Sequence, residues 1–140
     1  MTGVLHQATC VAIGGRGVLI EGRPGSGKSS LALALIDRGA ILVGDDGVLL
    51  EPEGDRLLAS PAPAIAGKLE VRNVGLLTFP TLSRIPVALL IGLDPAAPRF
   101  RDAPAWFDRA GVGIPAISLW PDSPFLALRA EWALRTYGLL

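Results

Sequence analysis

The chain has 140 residues, half of them apolar, and its 13 Lys+Arg balance 13 Asp+Glu at a sequence pI near 6.6. That length suits one domain over 1–140 with a core of its own, and the charge balance argues against a nucleic-acid binder, which carries a basic excess. Mean hydropathy is +0.45, yet apolar stretches such as Val87–Leu93 fall well short of the ~18 residues that span a bilayer, so no membrane partner is expected.

The amino terminus, Met1–His6, has no basic segment ahead of an apolar run, so no signal peptide is expected. Residues 5–13 are rich in strand formers and pass through Gly14-Gly15-Arg16-Gly17 into Val18–Glu21, a hairpin signal. Cys10, the one cysteine, has apolar neighbours and reads as an inert small hydrophobe. Lacking a disulfide partner, it suits a reducing cytoplasm. Gly22–Gly27 is a glycine-rich loop, and Ser29–Arg38 is a helix of good helix formers stopped by Gly39 in a left-handed cap. Ile41–Gly44 predicts a short buried strand that ends in Asp45-Asp46. Val48–Glu51 and Arg56–Ala59 flank the turn Pro52–Asp55 as a second hairpin, and the Pro/Ala-rich Ser60–Ala66 reads as a surface loop. Val87–Leu93 predicts a fully buried strand. Residues 94–105, with Pro95, Pro98 and Pro104, form a long irregular segment of the kind that carries function or moves. Ile114–Leu119 is a further strand, and Pro124 suits the first turn of a closing helix to about Tyr137, with Ser123 as N-cap.

Gly22-Arg23-Pro24-Gly25-Ser26-Gly27-Lys28-Ser29 matches G-x-x-x-x-G-K-[ST] at every fixed position. The chain's own composition makes an accidental match roughly a 0.2% event, and a strand precedes the loop while a helix follows. The chemistry needs these residue types. Glycines let backbone N–H groups close around phosphate oxygens, and the helix N-terminus adds its dipole. Lys28, one of two lysines, would reach the β- and γ-phosphates, and Ser29 would ligate Mg²⁺. The pattern predicts binding of a nucleoside triphosphate or a similar phosphate.

Asp45-Asp46 falls at the carboxyl end of a predicted strand, where open α/β sheets bind ligands. Adjacent acids on an extended segment point to different sides and could divide metal binding from proton transfer; the bland alternative is an Asx-rich turn before Gly47. Glu70 alone would be a solvated charge, and His6 a partly buried, hydrogen-bonded strand residue. Arg99 and Arg101 could stabilise charge from a closing lid, although most loop arginines only face water. Trp106, Trp120 and Trp132 read as core or interface anchors.

His6 with its hairpin, Gly22–Ser29, Leu42-Val43-Gly44-Asp45-Asp46 and Ile65–Gly75, in that order, resemble the catalytic domain of the HPr kinase/phosphorylase family, most strongly over 6–77. Residues 69–75 are similar to the family's signature, usually Leu-Glu-(Ile/Val)-Arg-Gly-Leu-Gly. Asn73 stands for the usual glycine and Val74 for the usual leucine, with Glu70 and Arg72 intact. The resemblance implies an α/β phosphate-loop kinase domain similar to phosphoenolpyruvate carboxykinase, a mixed sheet with an N-terminal β-hairpin. It implies ATP- and Mg²⁺-dependent phosphorylation of a serine on HPr, a small phosphocarrier of the bacterial sugar phosphotransferase system, by a cytoplasmic homo-oligomer, usually a hexamer. By the same resemblance Asp46 is the base for the seryl hydroxyl, and Ser29 and Glu70 hold Mg²⁺ with Asp45 beside them. Lys28 stabilises the γ-phosphate, His6 lines the site, and a loop arginine, Arg99 in preference to Arg101, completes the catalytic set.

By the same resemblance the chain is expected to be the short bacterial form, without the N-terminal domain of long family members. Where the family usually carries a Pro-Gly-Arg type segment linked to phosphorylase activity, this chain reads Trp120-Pro121-Asp122-Ser123-Pro124. Reverse transfer to inorganic phosphate is therefore the secondary expectation. The rival readings are a small-molecule kinase using the same loop and a non-enzymatic ATP-sensing regulator.

Overall fold

The segment read as one amino-terminal strand is two. A computed structural model describes residues 3–140; in it β1 (Val4–His6) stops before Gln7-Ala8, and β2 (Thr9–Ile13) makes the expected hairpin with β3 (Arg16–Glu21). Gly14 (φ 57°) and Gly15 (φ 81°) form its turn, the two-residue geometry whose twist matches paired strands. Helix α1 (Lys28–Asp37) starts and ends one residue earlier than expected, and Gly39 (φ 107°) closes it as predicted.

Edge strand β4 (Ile41–Gly44) pairs with β2, antiparallel, bridges Thr81 through Leu42, and leaves Ile41 exposed. The second hairpin, β5 (Val48–Glu53) and β6 (Arg56–Pro61), zips up to a two-residue turn at Gly54-Asp55 and absorbs part of the expected turn and loop. β1 pairs with β5, His6 lying opposite Val48. After a 3₁₀ turn at Pro63–Ile65, β7 (Lys68–Val71) and β8 (Gly75–Thr78) form a separate two-stranded sheet.

β9 (Ile85–Leu93) is the axis of the main sheet. Its first residues pair with β6, and its later ones run parallel to β3 on one edge and to β11 (Val112–Leu119) on the other. With both edges paired and both faces covered, a continuous apolar run is what such a strand requires. β10 (Ala105–Arg109) was not expected; it pairs antiparallel with β11 through a turn at Ala110 (φ 51°) and Gly111 (φ 86°). The irregular segment is therefore 94–104.

Side chains alternate along the central strands. Val18 and Ile20 join Leu89 and Ile91 under Leu31, Leu35, Ala130 and Leu134, residues of α1 and of the closing helix α2 (Leu126–Tyr137). Leu19 and Leu90 face the opposite way, onto Val48, Leu50, Leu57 and Ile114. Ser123 does not cap α2. Phe125 occupies that position, and the Ser123 hydroxyl accepts the Phe125 N–H at 3.1 Å, one short turn earlier. Nor are the tryptophans core residues: Trp106 is 60%, Trp120 39% and Trp132 59% exposed. No helix among the described residues is long and apolar enough to cross a membrane.

Candidate active site

β3 delivers Glu21 to the glycine loop, which turns back on itself as the Ser26 N–H donates to the Arg23 carbonyl at 3.0 Å. Gly25 (φ 79°) and Gly27 (φ 103°) hold left-handed conformations that side chains resist. A Cβ on Gly22 would lie 2.5 Å from Ser26 Oγ; in this tight underside that hydroxyl is buried without a partner. α1 follows at once, with no side-chain cap and no acid in its first turn. Its N–H groups and dipole are left for an anion. Lys28 Nζ meanwhile donates to the carbonyls of Gly22 (3.0 Å) and Arg23 (3.2 Å), folded over the loop.

The acids arrive from β4. Asp45 is buried and accepts two hydroxyl hydrogen bonds on one oxygen, from Ser29 Oγ at 2.8 Å and from fully buried Thr9 Oγ1 at 2.9 Å. Asp46 has φ 61°, so the pair is not extended. A left-handed aspartate, tolerated better than most residues, separates the two carboxylates. Gly44 permits the bend, since a Cβ there would lie 2.6 Å from the Gly47 carbonyl.

The β7–β8 hairpin closes the site. Strand alternation turns Leu69 into the core and leaves Lys68, Glu70 and Arg72 on the other face. The loop, the two acids and this basic–acidic–basic row line one cavity of about 400 Å³. Of the expected site residues, Pro24, Gly25, Gly27, Lys28, Ser29, Asp45, Asp46 and Glu70 meet there. Thr9, Lys68 and Arg72 join them; none of the three had a role read from the sequence, and Arg72 stood out only as part of the signature. For the hairpin the signal was the period-two pattern of Lys68–Arg72; Thr9 has none, because only folding brings it to Asp45. Gly22, Arg23 and Ser26 form the back of the loop and are not among the lining residues.

Two candidates stand elsewhere. His6 Nε2 donates to Glu21 at 2.6 Å, and Arg109 clamps the same carboxylate at 2.6 and 2.9 Å. Partial burial alone would raise the Glu21 carboxyl; the Arg109 and His6 hydrogen bonds and charges outweigh it and hold the group below its ordinary value. Arg99 lies on the wall of a second cavity, of about 300 Å³, with Trp120 and Arg129. Cys10 is buried, its thiol pushed up to about 12 by desolvation, as an inert residue should be.

Among the described residues no three of His, Cys, Asp and Glu gather into a metal cluster. The hydroxyl–carboxylate pair Ser29–Asp45 is nevertheless a hard-oxygen donor set beside an anion loop. That fits Mg²⁺, which is usually held by one or two protein oxygens together with phosphates and water.

The profile of the HPr Serine kinase C-terminal domain family matches residues 2–83. The HPr kinase/phosphorylase of Exiguobacterium sp. AT1b is 39% identical over 110 residues, 73% of this chain and 34% of the relative. That of Exiguobacterium sibiricum is 45% identical over 127 residues, 84% and 39% respectively. The chain thus spans between a third and two fifths of these curated relatives. The solved HPr(Ser) kinase/phosphatase of Coxiella burnetii superposes with a TM-score of 0.82 at 27% identity, covering 94% of this chain and 89% of that one. The structural match extends over strands and a helix beyond the matched profile, and it agrees with the mixed α/β phosphate-loop fold expected from the sequence. With more than half of its residues matched by the profile, the chain belongs to the HPr serine kinase C-terminal domain family.

Proposed function

We propose that residues 1–140 form a single catalytic domain that transfers the γ-phosphoryl group of ATP, with Mg²⁺, to a serine of the phosphocarrier protein HPr. The observation that carries this reading is the meeting of Lys28, Ser29, Asp45 and Asp46 in one cavity at the mouth of the Gly22–Ser29 loop. The relatives named HPr kinase/phosphorylase support the choice of acceptor.

Phosphoryl transfer needs alignment and charge stabilisation more than covalent chemistry. The loop N–H groups and the α1 N-terminus cradle the phosphates, and Lys28 leaves its carbonyl partners for the γ-phosphate. Asp46 accepts the seryl proton as the new O–P bond forms and the bond to ADP breaks. Ser29, Asp45 and Glu70 are the residues that would hold Mg²⁺, which neutralises phosphate charge when bound. Arg72 is the guanidinium that lines this cavity, its Nη2 lying 4.0 Å from where a Cβ on Gly25 would sit; Arg99 lies on the wall of the second cavity. His6 and Arg109 act as positioning residues by fixing Glu21, the residue ahead of Gly22. Reverse transfer to inorganic phosphate would use the same groups. The exposed Trp106 and Trp132 supply apolar surface for a homo-oligomer, a hexamer by family likeness, and the site calls for a cytoplasmic setting where ATP is present.

Intact-mass analysis of purified HPr after incubation with the protein, ATP and Mg²⁺ tests the reading. One added phosphate on serine, lost with Asp46→Asn, is expected. Unmodified HPr from a protein that binds ATP would overturn the choice of acceptor.

A further inference from the structure

Thr9 is fully buried and lines the active-site cavity, yet no step of the transfer derived above uses it. Strand register explains how it comes to be there. In the ladder between β2 and β4, Ala12 pairs with Ile41 and Val11 with Leu42. The register then shifts: Val43 is passed over, and Cys10 pairs with Gly44. Continued one step, the shifted ladder sets Thr9 opposite Asp45. A regular ladder would set Thr9 opposite Gly44 and leave Asp45 facing Ala8, which has no hydroxyl to offer. Irregularities of this kind beside active sites re-aim a side chain. Here the outcome is a 2.9 Å hydrogen bond from Thr9 Oγ1 to Asp45 Oδ1.

The same oxygen accepts the Ser29 hydroxyl at 2.8 Å. A carboxylate oxygen has two lone pairs, so the two hydroxyls saturate Oδ1. Among the described residues no donor reaches Oδ2, and Asp45 belongs to the cavity wall. Two tethers on one oxygen, from β2 and from α1, thus decide which oxygen the cavity receives.

We propose that Thr9 is a positioning residue that makes Asp45 a one-oxygen ligand and so sets the preference of the site for Mg²⁺ over Ca²⁺. This role rests on the Mg²⁺ reading above and names what selects the ion. Ca²⁺ takes about six to eight oxygens and often chelates a carboxylate through both, whereas Mg²⁺ keeps a compact octahedron completed by water and phosphate. An Asp45 restricted to Oδ2 suits the smaller ion and denies the larger one a chelate. Ser29, its proton directed to Oδ1, keeps its Oγ lone pairs for the same ion. A threonine that only satisfied a buried acceptor would support both ions alike.

Displacement of Mn²⁺ from the whole chain, followed by the EPR signal of the released ion, compares the two metals without turnover. ADP is present throughout to supply phosphate oxygens, and a titration of ADP alone is the blank. The wild type should release Mn²⁺ at a lower concentration of Mg²⁺ than of Ca²⁺. Thr9→Val keeps the volume and frees a lone pair of Oδ1. It should reduce the Mg²⁺ preference about tenfold, the scale on which outer-shell partners act on metal affinity. Thr9→Ser, which keeps the hydroxyl, should retain the wild-type preference. An unchanged or greater preference in Thr9→Val, or a Thr9→Ser that behaves like Thr9→Val, would overturn the role. So would a wild type that holds Ca²⁺ as well as Mg²⁺.

Infrared difference spectra of the wild type decide the matter even where Thr9→Val does not fold. With either metal, the carboxylate band that is absent from Asp45→Asn should show the wide splitting of one-oxygen ligation. The narrow splitting of a two-oxygen chelate would overturn the role. A wild type that binds no Mn²⁺ beyond the blank, or no band lost in Asp45→Asn, would instead overturn the metal reading itself, and the role of Thr9 with it.

Discussion

Asp45 is held firmly in the site, because two hydroxyls, one from β2 and one from α1, converge on one of its oxygens. Thr9→Val keeps the volume and removes one donor. It should cost about 1 kcal/mol of stability in thermal unfolding and raise several-fold the Mg²⁺ concentration needed for half-maximal turnover, with Thr9→Ser restoring both. Asp46 was legible in the sequence through its place after a loop, a helix and a strand. Thr9 was not, for a threonine on a β-rich segment carries no sign of a carboxylate 36 positions away. Arg72 was visible only as part of a signature. Its use depends on the fold of the hairpin back over Gly25; of the loop arginines that drew attention first, Arg99 lines another cavity and Arg101 lines neither of the two.

At the scale of elements, the glycine loop and the β7–β8 hairpin place the chemistry by different means. The loop is held by its own backbone. Gly27→Ala forces a side chain into φ 103° and should cost about 1–2 kcal/mol while abolishing ATP binding in the calorimeter. The hairpin is anchored by Leu69, fully buried in the core under α1, with Val71 packed partly buried beside it. Leu69→Ala should open it locally: amide exchange over Lys68–Thr78 should rise at least about tenfold by the same local-opening logic, with the amides of β9 unchanged. Loop and α1 were legible because a glycine motif and good helix formers are local signals. β10 was missed because prolines dominate the segment before it, although Ala110-Gly111 between Trp106–Arg109 and Val112–Ile114 is a two-residue hairpin turn.

Across the whole molecule, His6 of β1, Glu21 of β3 and Arg109 of β10 form one charged cluster that joins three strands remote in sequence. Because the folded Glu21 titrates below its ordinary value of 4.5, its contribution is complete above that pH and fades as pH falls through the folded value. Arg109→Met should therefore destabilise the protein by about 1 kcal/mol at pH 7, solvent contact keeping the effect below that of a fully buried pair. Denaturant titrations should show the difference shrinking as the pH is lowered below 4.5. The proposed oligomer has its own check: Trp132→Glu should sediment as a smaller species than the wild type, since an exposed tryptophan in an interface tolerates no charge.

The sequence by itself determined the phosphate loop, the helix after it, the acid pair and the central strand, because each rests on contacts within a few residues or on an apolar run that only a buried strand satisfies. Tertiary structure alone decided which side chains share a cavity. It brought Thr9 to Asp45, turned Lys68, Glu70 and Arg72 towards the loop, drew His6 and Arg109 to Glu21, and set Arg99 beside Trp120 on the far side of β3. Those neighbours are fixed by sheet order and register, and strand pairing across long separations leaves no local pattern in the chain.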